Sequence, residues 1–391
     1  MDHTRIKTAK RVLYRYKLCD SCLGRQFPNN NINRIYGKQI RQAIEKNQIK
    51  KECFICEGMM SNLNKMAKRI LNEIERFEYS SFMVGTILDS DIIEREDVIR
   101  SEFKVKGGEP IKSEITKELS RLIKRTNGRT ISLNRPELNI LVNTLLDEIE
   151  VSSRSIFVMG KYVKKKRGIN QKKQRCKQCK SEGCKKCRFS GFMRVPSVEN
   201  EIHKFLIKKF NANEVKISWI GSEDRNSLVK YNGRPFFAEV SSPIKRKALF
   251  REKKMNHGII IKSVEILRKR PIIDQGFIMK AIVNFESNLK DTKRLERIEK
   301  YFSERDISIY SMNKNKYFTR RVRSIKLKKV SGKRFTVELI CEGGINIKKL
   351  VSGENEQVKP NFRKVMRIKC SVDKIAPFDI HYVKVQESEK R

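Results

Sequence analysis

The sequence predicts an α+β protein, in which a helical, cysteine-rich N-terminal module precedes a larger domain with a mixed α/β sheet. Three observations support this fold class. Apolar residues recur at helical spacing in the first segment, strand-like alternation is common in the second half, and eight of the 10 cysteines form four C-x-x-C pairs. The 391 residues are enough for two or three domains, and a hydrophobic content of 38% is enough for their cores.

Four segments are expected along the chain. They are a zinc-binding helical segment at 1–60, a region of mixed helix and strand at 61–170, a second cysteine cluster with a linker at 171–195, and a mixed-sheet domain at 196–391. A basic connector, KKKRGINQKKQR, leads into the second cluster, and Lys164, Lys165 and Lys166 at its start are expected to be solvated. A serine that caps an apolar helix, Ser197, opens the last domain.

In the N-terminal half, helices are predicted from apolar spacing. The first helix carries its apolar residues from Ile6 to Tyr16, immediately before the first cysteine pair. Another is expected to start at Ser113, to bury a face that includes Ile115 and Leu119, and to stop at Asn127-Gly128. The sequence therefore predicts at least two amphipathic helices here.

In the C-terminal half, short alternating runs predict strands. Ser155–Met159 is expected to be a buried strand at the end of the second region, and Glu214–Ile220 a half-buried one. Leu228–Tyr231 and Arg234–Val240, separated by Asn232-Gly233, are expected to form a hairpin with a primed turn.

The charge of the chain points to a polyanionic partner. Lysine and arginine number 88 and aspartate and glutamate 45, which leaves a net charge of +43. Nucleic acid is the first candidate partner and an acidic membrane surface the second. General basicity of the source organism's proteins is the alternative, but the basic residues are clustered, as at Lys164–Arg167. No apolar run approaches the roughly 18–20 residues of a spanning helix, so we expect a soluble, cytoplasmic protein.

The cysteine pairs predict structural metal sites. Cys19, Cys22, Cys53 and Cys56 supply four thiolates, the number that a tetrahedral structural zinc requires, and leave no open coordination position for catalysis. Two unrelated pairs of buried thiols are the alternative. The second set has only four residues between its pairs, so one zinc there is geometrically tighter; it comprises Cys176, Cys179, Cys184 and Cys187.

Nine motifs occur in one order along nearly the whole chain: LCDSCLGRQF (18–27), CFICEG (53–58), IKSEITKELSRLIKRTNG (111–128), IFVMGKYVKKKRGINQ (156–171), CKQCKSEGCKKCRFSG (176–191), GSED (221–224), NGRPFFAEVSSP (232–243), IYSMNKNKYFTRR (309–321) and CEGGINIKKLVSG (341–353). With these motifs in this order, the chain resembles the archaeal tRNA pseudouridine synthase family that carries an N-terminal zinc and THUMP region. The resemblance implies that 61–170 is a THUMP-like RNA-binding domain and 196–391 a pseudouridine synthase catalytic domain.

By the same resemblance, the protein is an isomerase that converts uridine to pseudouridine in the TΨC loop of tRNA, at positions 54 and/or 55. The family's catalytic stretch reads Gly-Arg-Glu-Asp, and the match gives Asp224 the role of nucleophile. A carboxylate in a tight turn can do this chemistry without a metal or an organic cofactor. Without the family, Glu223-Asp224 is an ordinary polar turn.

The match also implies substrate-binding residues, and it shows departures from the family. Those aligned with substrate-binding positions are Arg234, Arg321, Lys348, Met279 and Asn346; the last two stand where the family has tyrosines. Ser222 stands where the family has the arginine of its Gly-Arg-Glu-Asp stretch, and Arg225 is a candidate replacement.

Two other functions compete with this one. A non-catalytic tRNA-binding protein on the same fold, such as a chaperone or assembly factor, would keep the basic surface and the zinc module. An RNA methyltransferase would need a glycine-rich loop between a strand and a helix, and Lys106–Glu109 leads into a proline instead. We expect tRNA as the partner, a monomer, and structural zinc as the only cofactor.

Overall fold

The chain forms two compact units, Met1–Arg154 and Ser155–Arg391, in a computed structural model. The structure describes residues 3–28, 32–44, 53–219, 223–247, 250, 252–271, 277–287, 293–311, 315–331, 333–367 and 370–382. Among these residues, no helix combines the length and the apolar character that a membrane crossing requires.

The first unit combines helices with a four-stranded sheet. Its elements are α1 (His3–Arg15), α2 (Asp20–Gly24), α3 (Asn33–Ala43), α4 (Met59–Ile74), β1 (Ser81–Ile87), α5 (Ser90–Glu102), α6 (Ile111–Asn127), β2 (Thr130–Ile131), β3 (Leu138–Asn143) and β4 (Glu148–Ser153). The strand order is β2-β1-β3-β4, with β1 parallel to both neighbours and β3 antiparallel to β4. Helices α4 and α6 pack together, and α6 lies against β1.

Helix α6 matches its sequence prediction except at its first turn. Ile115, Leu119 and Ile123 are fully buried, and Gly128 ends the helix with a φ of 67°. The helix begins at Ile111 rather than at Ser113, because the Ile111 N–H donates to the buried Glu96 carboxylate at 3.0 Å. A carboxylate from another helix thus replaces the serine cap that the local sequence suggested.

The cysteine module depends on a close approach of two short helices. A side chain at Gly24 of α2 would place its Cβ 1.9 Å from the Asn33 carbonyl oxygen, and a Cβ at Gly37 of α3 would meet the Asp20 carbonyl at the same distance. Only glycine allows the two backbones to lie this close. The contact holds the first C-x-x-C pair, at the start of α2, in one orientation.

The second unit contains two sheets. Its elements are β5 (Ile156–Lys164), α7 (Val198–Phe210), β6 (Glu214–Ser218), β7 (Val229–Ser241), β8 (Lys253–Lys254), β9 (Ile259–Leu267), β10 (Phe277–Ser287), α8 (Lys293–Phe302), β11 (Arg305–Ser311), β12 (Lys316–Ser331), β13 (Arg334–Glu342), α9 (Ile347–Ser352), β14 (Val358–Lys359), α10 (Phe362–Met366) and β15 (Cys370–Tyr382). The five-stranded sheet has the order β6-β7-β5-β9-β8, and the six-stranded sheet has the order β14-β11-β12-β13-β10-β15. Strand β15 contacts β7 and so connects the two sheets.

Strand β5 lies in a different domain from the one that the sequence suggested. The sequence places it with 61–170, but it is the central strand of the five-stranded sheet, antiparallel to both β7 and β9. The boundary between the compact units accordingly falls after Arg154 and not near residue 170. The strand also runs to Lys164, beyond the predicted end at Met159.

The predicted hairpin at Asn232-Gly233 is wrong. Residues Val229–Ser241 form one strand, and the register against β5 shifts between Tyr162, which faces Arg234, and Lys164, which faces Val229. The Asn-Gly pair lies in this irregularity, where Gly233 has a φ of 80° and a Cβ would lie 2.7 Å from the Tyr162 carbonyl oxygen. The pair therefore makes a bulge against β5 rather than a turn.

Candidate functional site

Four cysteines of the first unit converge at one point. The Sγ atoms of Cys19, Cys22, Cys53 and Cys56 all lie within 4.8 Å of one another, and those of Cys19 and Cys56 are 3.8 Å apart. Tetrahedral coordination with bonds of about 2.3 Å requires sulfur–sulfur distances of roughly 3.8 Å. The donor set therefore fits a tetrahedral metal ion, and the predicted convergence is confirmed.

A buried arginine lies beside this cluster. The Arg25 guanidinium is fully buried, donates to the Cys22 Sγ at 3.7 Å and forms an ion pair with the buried Glu96. A cation at this distance stabilises thiolate sulfurs, the form that binds metal.

The second cysteine set also converges. Its Sγ atoms lie within 4.8 Å of one another, with 3.9 Å between Cys176 and Cys184 and 3.7 Å between Cys179 and Cys187. Burial raises the pKa of Cys187, but the backbone N–H groups of Cys184 and Gly191 favour its thiolate, and the pKa is lowered to about 6. The four-residue spacing therefore brings a second set of metal donors together.

Asp224 lies in a tight turn immediately before β7. Its Oδ1 accepts the Asn226 N–H at 2.7 Å, and its carbonyl oxygen accepts both the N–H (3.1 Å) and the hydroxyl (2.8 Å) of Ser227. The residue is half-buried, and its Oδ2 has no hydrogen-bond partner among the described residues. One carboxylate oxygen is thus anchored while the other remains available.

A fully buried polar network underlies this turn. The Lys164 ammonium forms an ion pair with Glu223, whose other oxygen accepts the Tyr162 hydroxyl, and the exposed fractions of the Lys164 and Glu223 side chains are 0% and 1%. The Glu223 N–H donates to Gln171 Oε1 at 3.0 Å. The ammonium also donates to the carbonyl oxygen of Asp224 at 3.3 Å. The network therefore fixes the backbone on both sides of the aspartate.

The environment of Tyr162 keeps its hydroxyl neutral. Burial and the adjacent Glu223 carboxylate raise the pKa of Tyr162 well above its usual range, although the nearby Arg234 opposes the shift. The neutral hydroxyl remains a donor to the carboxylate. Its ring packs edge-on against Trp219, with centroids 5.9 Å apart.

Lys164 is not the solvated residue that the sequence suggested. The run Lys164–Arg167 predicted an exposed basic connector, but its first residue is the last residue of β5 and points into the core. Lys165 and Lys166 are exposed, as expected. The sequence does contain one indication of this burial. Tyr162 and Lys164 alternate along a strand, which puts both side chains on the same face.

Two of the predicted substrate-binding residues are buried. Arg234 is 4% exposed and lies near Cys341. Burial raises the pKa of Cys341 to about 12, and the charge of Arg234 opposes this rise. Met279 pairs with Cys341 across the six-stranded sheet and is 3% exposed in its core. Met279 therefore offers almost no surface to a substrate base in this conformation.

The other predicted substrate-binding residues lie around the end of β13. Asn346 is the N-cap of α9 and accepts the Lys349 N–H at 3.1 Å, so its side chain is used for capping rather than held free for a base. Lys348 is exposed. Arg321 forms a bidentate ion pair with Asp306, at 2.7 and 3.2 Å, on the surface of the same sheet.

The replacement for the family's arginine is not found at Arg225. Its Nε donates to the Gly168 carbonyl at 2.9 Å, so the guanidinium holds the connector and not the carboxylate. Ser222 lies outside the described residues. Within the described part of this site, Lys164 is the cation that binds the Glu223-Asp224 pair, and it does so through Glu223 and the backbone.

Comparison with known families assigns both units. The model of the Pus10 C-terminal region matches residues 157–384, and that of the archaeal Pus10 THUMP domain matches residues 66–143. The tRNA pseudouridine synthase Pus10 of Nitrosopumilus maritimus is 34% identical over 97% of this chain and 98% of its own length. That of Pyrococcus furiosus is 26% identical over 92% and 94%.

Solved structures give a weaker likeness. A Cbf5-Nop10-Gar1 complex aligns with 48% of this chain and 44% of its own, at a TM-score of 0.28 and 11% identity. The family assignment rests instead on the end-to-end relatives and on the two family models. The chain belongs to the archaeal Pus10 family of tRNA pseudouridine synthases.

Proposed function

We propose that this protein isomerises uridine to pseudouridine in the TΨC loop of tRNA, at position 54 and/or 55, with Asp224 as the nucleophile. The observation that carries the proposal is the carboxylate itself. Asp224 has one oxygen anchored by Asn226, one oxygen available, and a backbone held by a buried network. Preorganisation of this kind lets a nucleophile act without reorganising its surroundings.

The proposed reaction requires a nucleophilic carboxylate of this kind. The bond between N1 of uracil and C1′ of the ribose breaks, and a bond between C5 and C1′ forms. N1 gains a proton and C5 loses one, so nothing is oxidised or reduced. The Asp224 carboxylate attacks the anomeric carbon or the uracil ring and leaves again when the carbon–carbon bond has formed. We expect no organic cofactor, a monomer, and action in the cytoplasm.

The chain's charge supports an RNA substrate. The target base has to leave its stack in the loop, and a basic surface stabilises the opened RNA. Arg321 and Lys348, which are exposed, are proposed to contact this RNA. The buried Arg234 and Met279 and the helix cap Asn346 are proposed to support the substrate-binding surface from beneath. Incubation with an unmodified tRNA transcript, followed by mapping of pseudouridine, tests the activity.

A non-catalytic tRNA-binding protein is the second candidate function. The burial of Met279 and the capping role of Asn346 favour this function. Neither side chain is available to stack on a base, as the family's tyrosines at these positions are expected to do. Tight tRNA binding without pseudouridine formation is its expected result.

We expect both cysteine sets to hold zinc. The purified protein should contain two equivalents of zinc per chain, measured by elemental analysis. Cys53→Ser/Cys56→Ser should remove one equivalent and destabilise the first unit, because four thiolates are needed to close the site. Cys184→Ser/Cys187→Ser should remove the other equivalent and leave the first unit's melting transition unchanged. A wild-type protein with no bound metal would contradict this assignment.

The net charge also predicts a steep salt dependence. If about 6–10 phosphates are contacted, tRNA affinity should fall by roughly 10³–10⁵ between 50 and 200 mM salt, because bound counterions are released. A filter-binding titration at several salt concentrations measures the slope. Affinity that does not change with salt would remove the electrostatic basis of the proposal.

A further inference from the structure

A basic cavity lies in the second unit, and none of its lining residues belongs to the Asp224 turn or to the buried network beneath it. Its volume is about 660 Å³, within the roughly 300–1,000 Å³ range of ligand sites. It is formed by α8, the start of β11, and the segment around α10. The lining residues are Arg297, Lys300, Tyr301, Arg305, Pro360, Lys364, Val365 and Arg367.

Most of the positive charge of this cavity has no ion-pair partner among the described residues. Five of its eight lining residues are cationic and none is acidic. Lys364 pairs with Glu356 at 3.2 Å, but Arg297, Lys300, Arg305 and Arg367 form no ion pair with any carboxylate of the described residues. Four like charges around one concavity repel one another, and an anion that enters it removes this repulsion.

The cavity also offers apolar surface. The Arg305 guanidinium carbon lies 3.9 Å from the centroid of the Tyr301 ring, which is a stacked cation–π arrangement. Pro360 and Val365 complete the apolar part of the lining. Stacked planar groups beside several cations are the combination that binds a nucleotide, because the base stacks while the phosphates pair.

The cavity is distant from Asp224. In the six-stranded sheet, β11 is four strands away from β15, and β15 is the strand that contacts β7. At about 4.8 Å per strand, β11 lies roughly 19 Å from β15. Asp224 immediately precedes β7, a strand of the five-stranded sheet, and none of its hydrogen-bond partners lines the cavity, so the cavity is a site separate from the proposed nucleophile.

We propose that this cavity binds a phosphodiester segment of the RNA substrate outside the target loop, with phosphates on Arg297, Lys300 and Arg367 and a base against the stacked Arg305 and Tyr301. RNA is favoured over a small anion because the whole chain carries +43 and because a tRNA is long enough to reach both this cavity and Asp224. The inference rests on the proposed function only for the identity of the RNA.

The test compares two charge-reversed variants of the full-length protein. Arg297→Glu/Lys300→Glu changes the cavity, and Lys208→Glu/Lys216→Glu makes the same change of charge on α7 and β6 as a matched control. Binding of unmodified tRNA and of an isolated TΨC stem–loop is measured across a salt series. For tRNA, the cavity variant should bind at least roughly tenfold more weakly, with a salt slope lower by about 1–2, and the control should change less than about twofold.

The second comparison uses the isolated TΨC stem–loop. Its affinity should be the same for the cavity variant and the wild type, because its RNA does not extend to the cavity. Equal losses for the cavity and control variants on tRNA would overturn the proposal. So would a loss of binding by the cavity variant to the stem–loop equal to its loss on tRNA. An unchanged tRNA affinity, with loss of inorganic phosphate binding in the cavity variant alone, would identify a small-anion site instead.

These outcomes separate the cavity from the proposed activity. If the wild type forms no pseudouridine but the cavity variant alone loses tRNA affinity, the cavity proposal stands and the catalytic one fails. If the wild type forms pseudouridine and the cavity variant binds tRNA like the wild type, the reverse holds.

Discussion

Replacement of Asp224 by asparagine is expected to lower the rate of pseudouridine formation by at least roughly 10³-fold. The amide and the carboxylate have nearly the same shape, and Oδ1 can still accept the Asn226 N–H. Folding and tRNA affinity should therefore be unchanged. The lost property is the anionic oxygen that attacks the nucleoside. Single-turnover assays with a labelled tRNA transcript measure this rate.

The control for Asp224→Asn is Glu252→Gln, which removes an exposed carboxylate of the same unit that pairs with Lys262. This variant should retain the wild-type rate, because its carboxylate lies on the surface and holds no part of the Asp224 turn. If Asp224→Asn keeps a rate comparable to that of an active wild type, Asp224 is not the nucleophile.

Replacement of Lys164 by methionine is expected to destabilise the second unit strongly. The Glu223 carboxylate would remain buried, at 1% exposure, without its cation, and breaking a buried ion pair costs about 3–5 kcal/mol. For a unit of this size the loss corresponds to a melting temperature lower by roughly 10 °C. Activity should fall as well, because the ammonium also holds the Asp224 carbonyl.

Two further variants separate the causes. Lys164→Met/Glu223→Gln should recover much of the stability, because a neutral amide can still accept the Tyr162 hydroxyl and needs no cation. Lys165→Met removes an exposed neighbour with the same charge and should leave the melting temperature unchanged. Calorimetry measures all three. A melting temperature of Lys164→Met equal to that of Lys165→Met would contradict the buried network.

The sequence alone was sufficient to predict those features that depend on residues close together in the chain. The spacing of the cysteine pairs was enough to predict both convergent thiol clusters, since each pair needs only a turn and a partner pair. The Ser197 cap of α7 is confirmed, because its side chain accepts the Asn200 N–H at 3.2 Å. The Gly128 stop of α6 follows from its left-handed conformation.

The sequence was insufficient where a distant segment decides the outcome. Lys164 begins a run of four basic residues, a pattern that favours a solvent-exposed side chain. Its ion pair with the distant Glu223 makes the burial of Lys164 favourable instead. Asn232-Gly233 has the composition of a hairpin turn, yet pairing of β7 with β5 along its length turns the glycine into a bulge. Asn346 aligns with a substrate-binding position, but the start of α9 uses its side chain as a cap.

The function proposed for Asp224 is the isomerisation of uridine in the TΨC loop through its carboxylate. Its most direct test is to incubate the purified protein with an unmodified tRNA transcript and to map pseudouridine by carbodiimide modification and primer extension. With the wild type we expect extension stops that report pseudouridine at position 54, 55 or both, and with Asp224→Asn we expect none. A wild-type protein that binds the transcript and produces no stop would contradict the claim and establish the non-catalytic alternative.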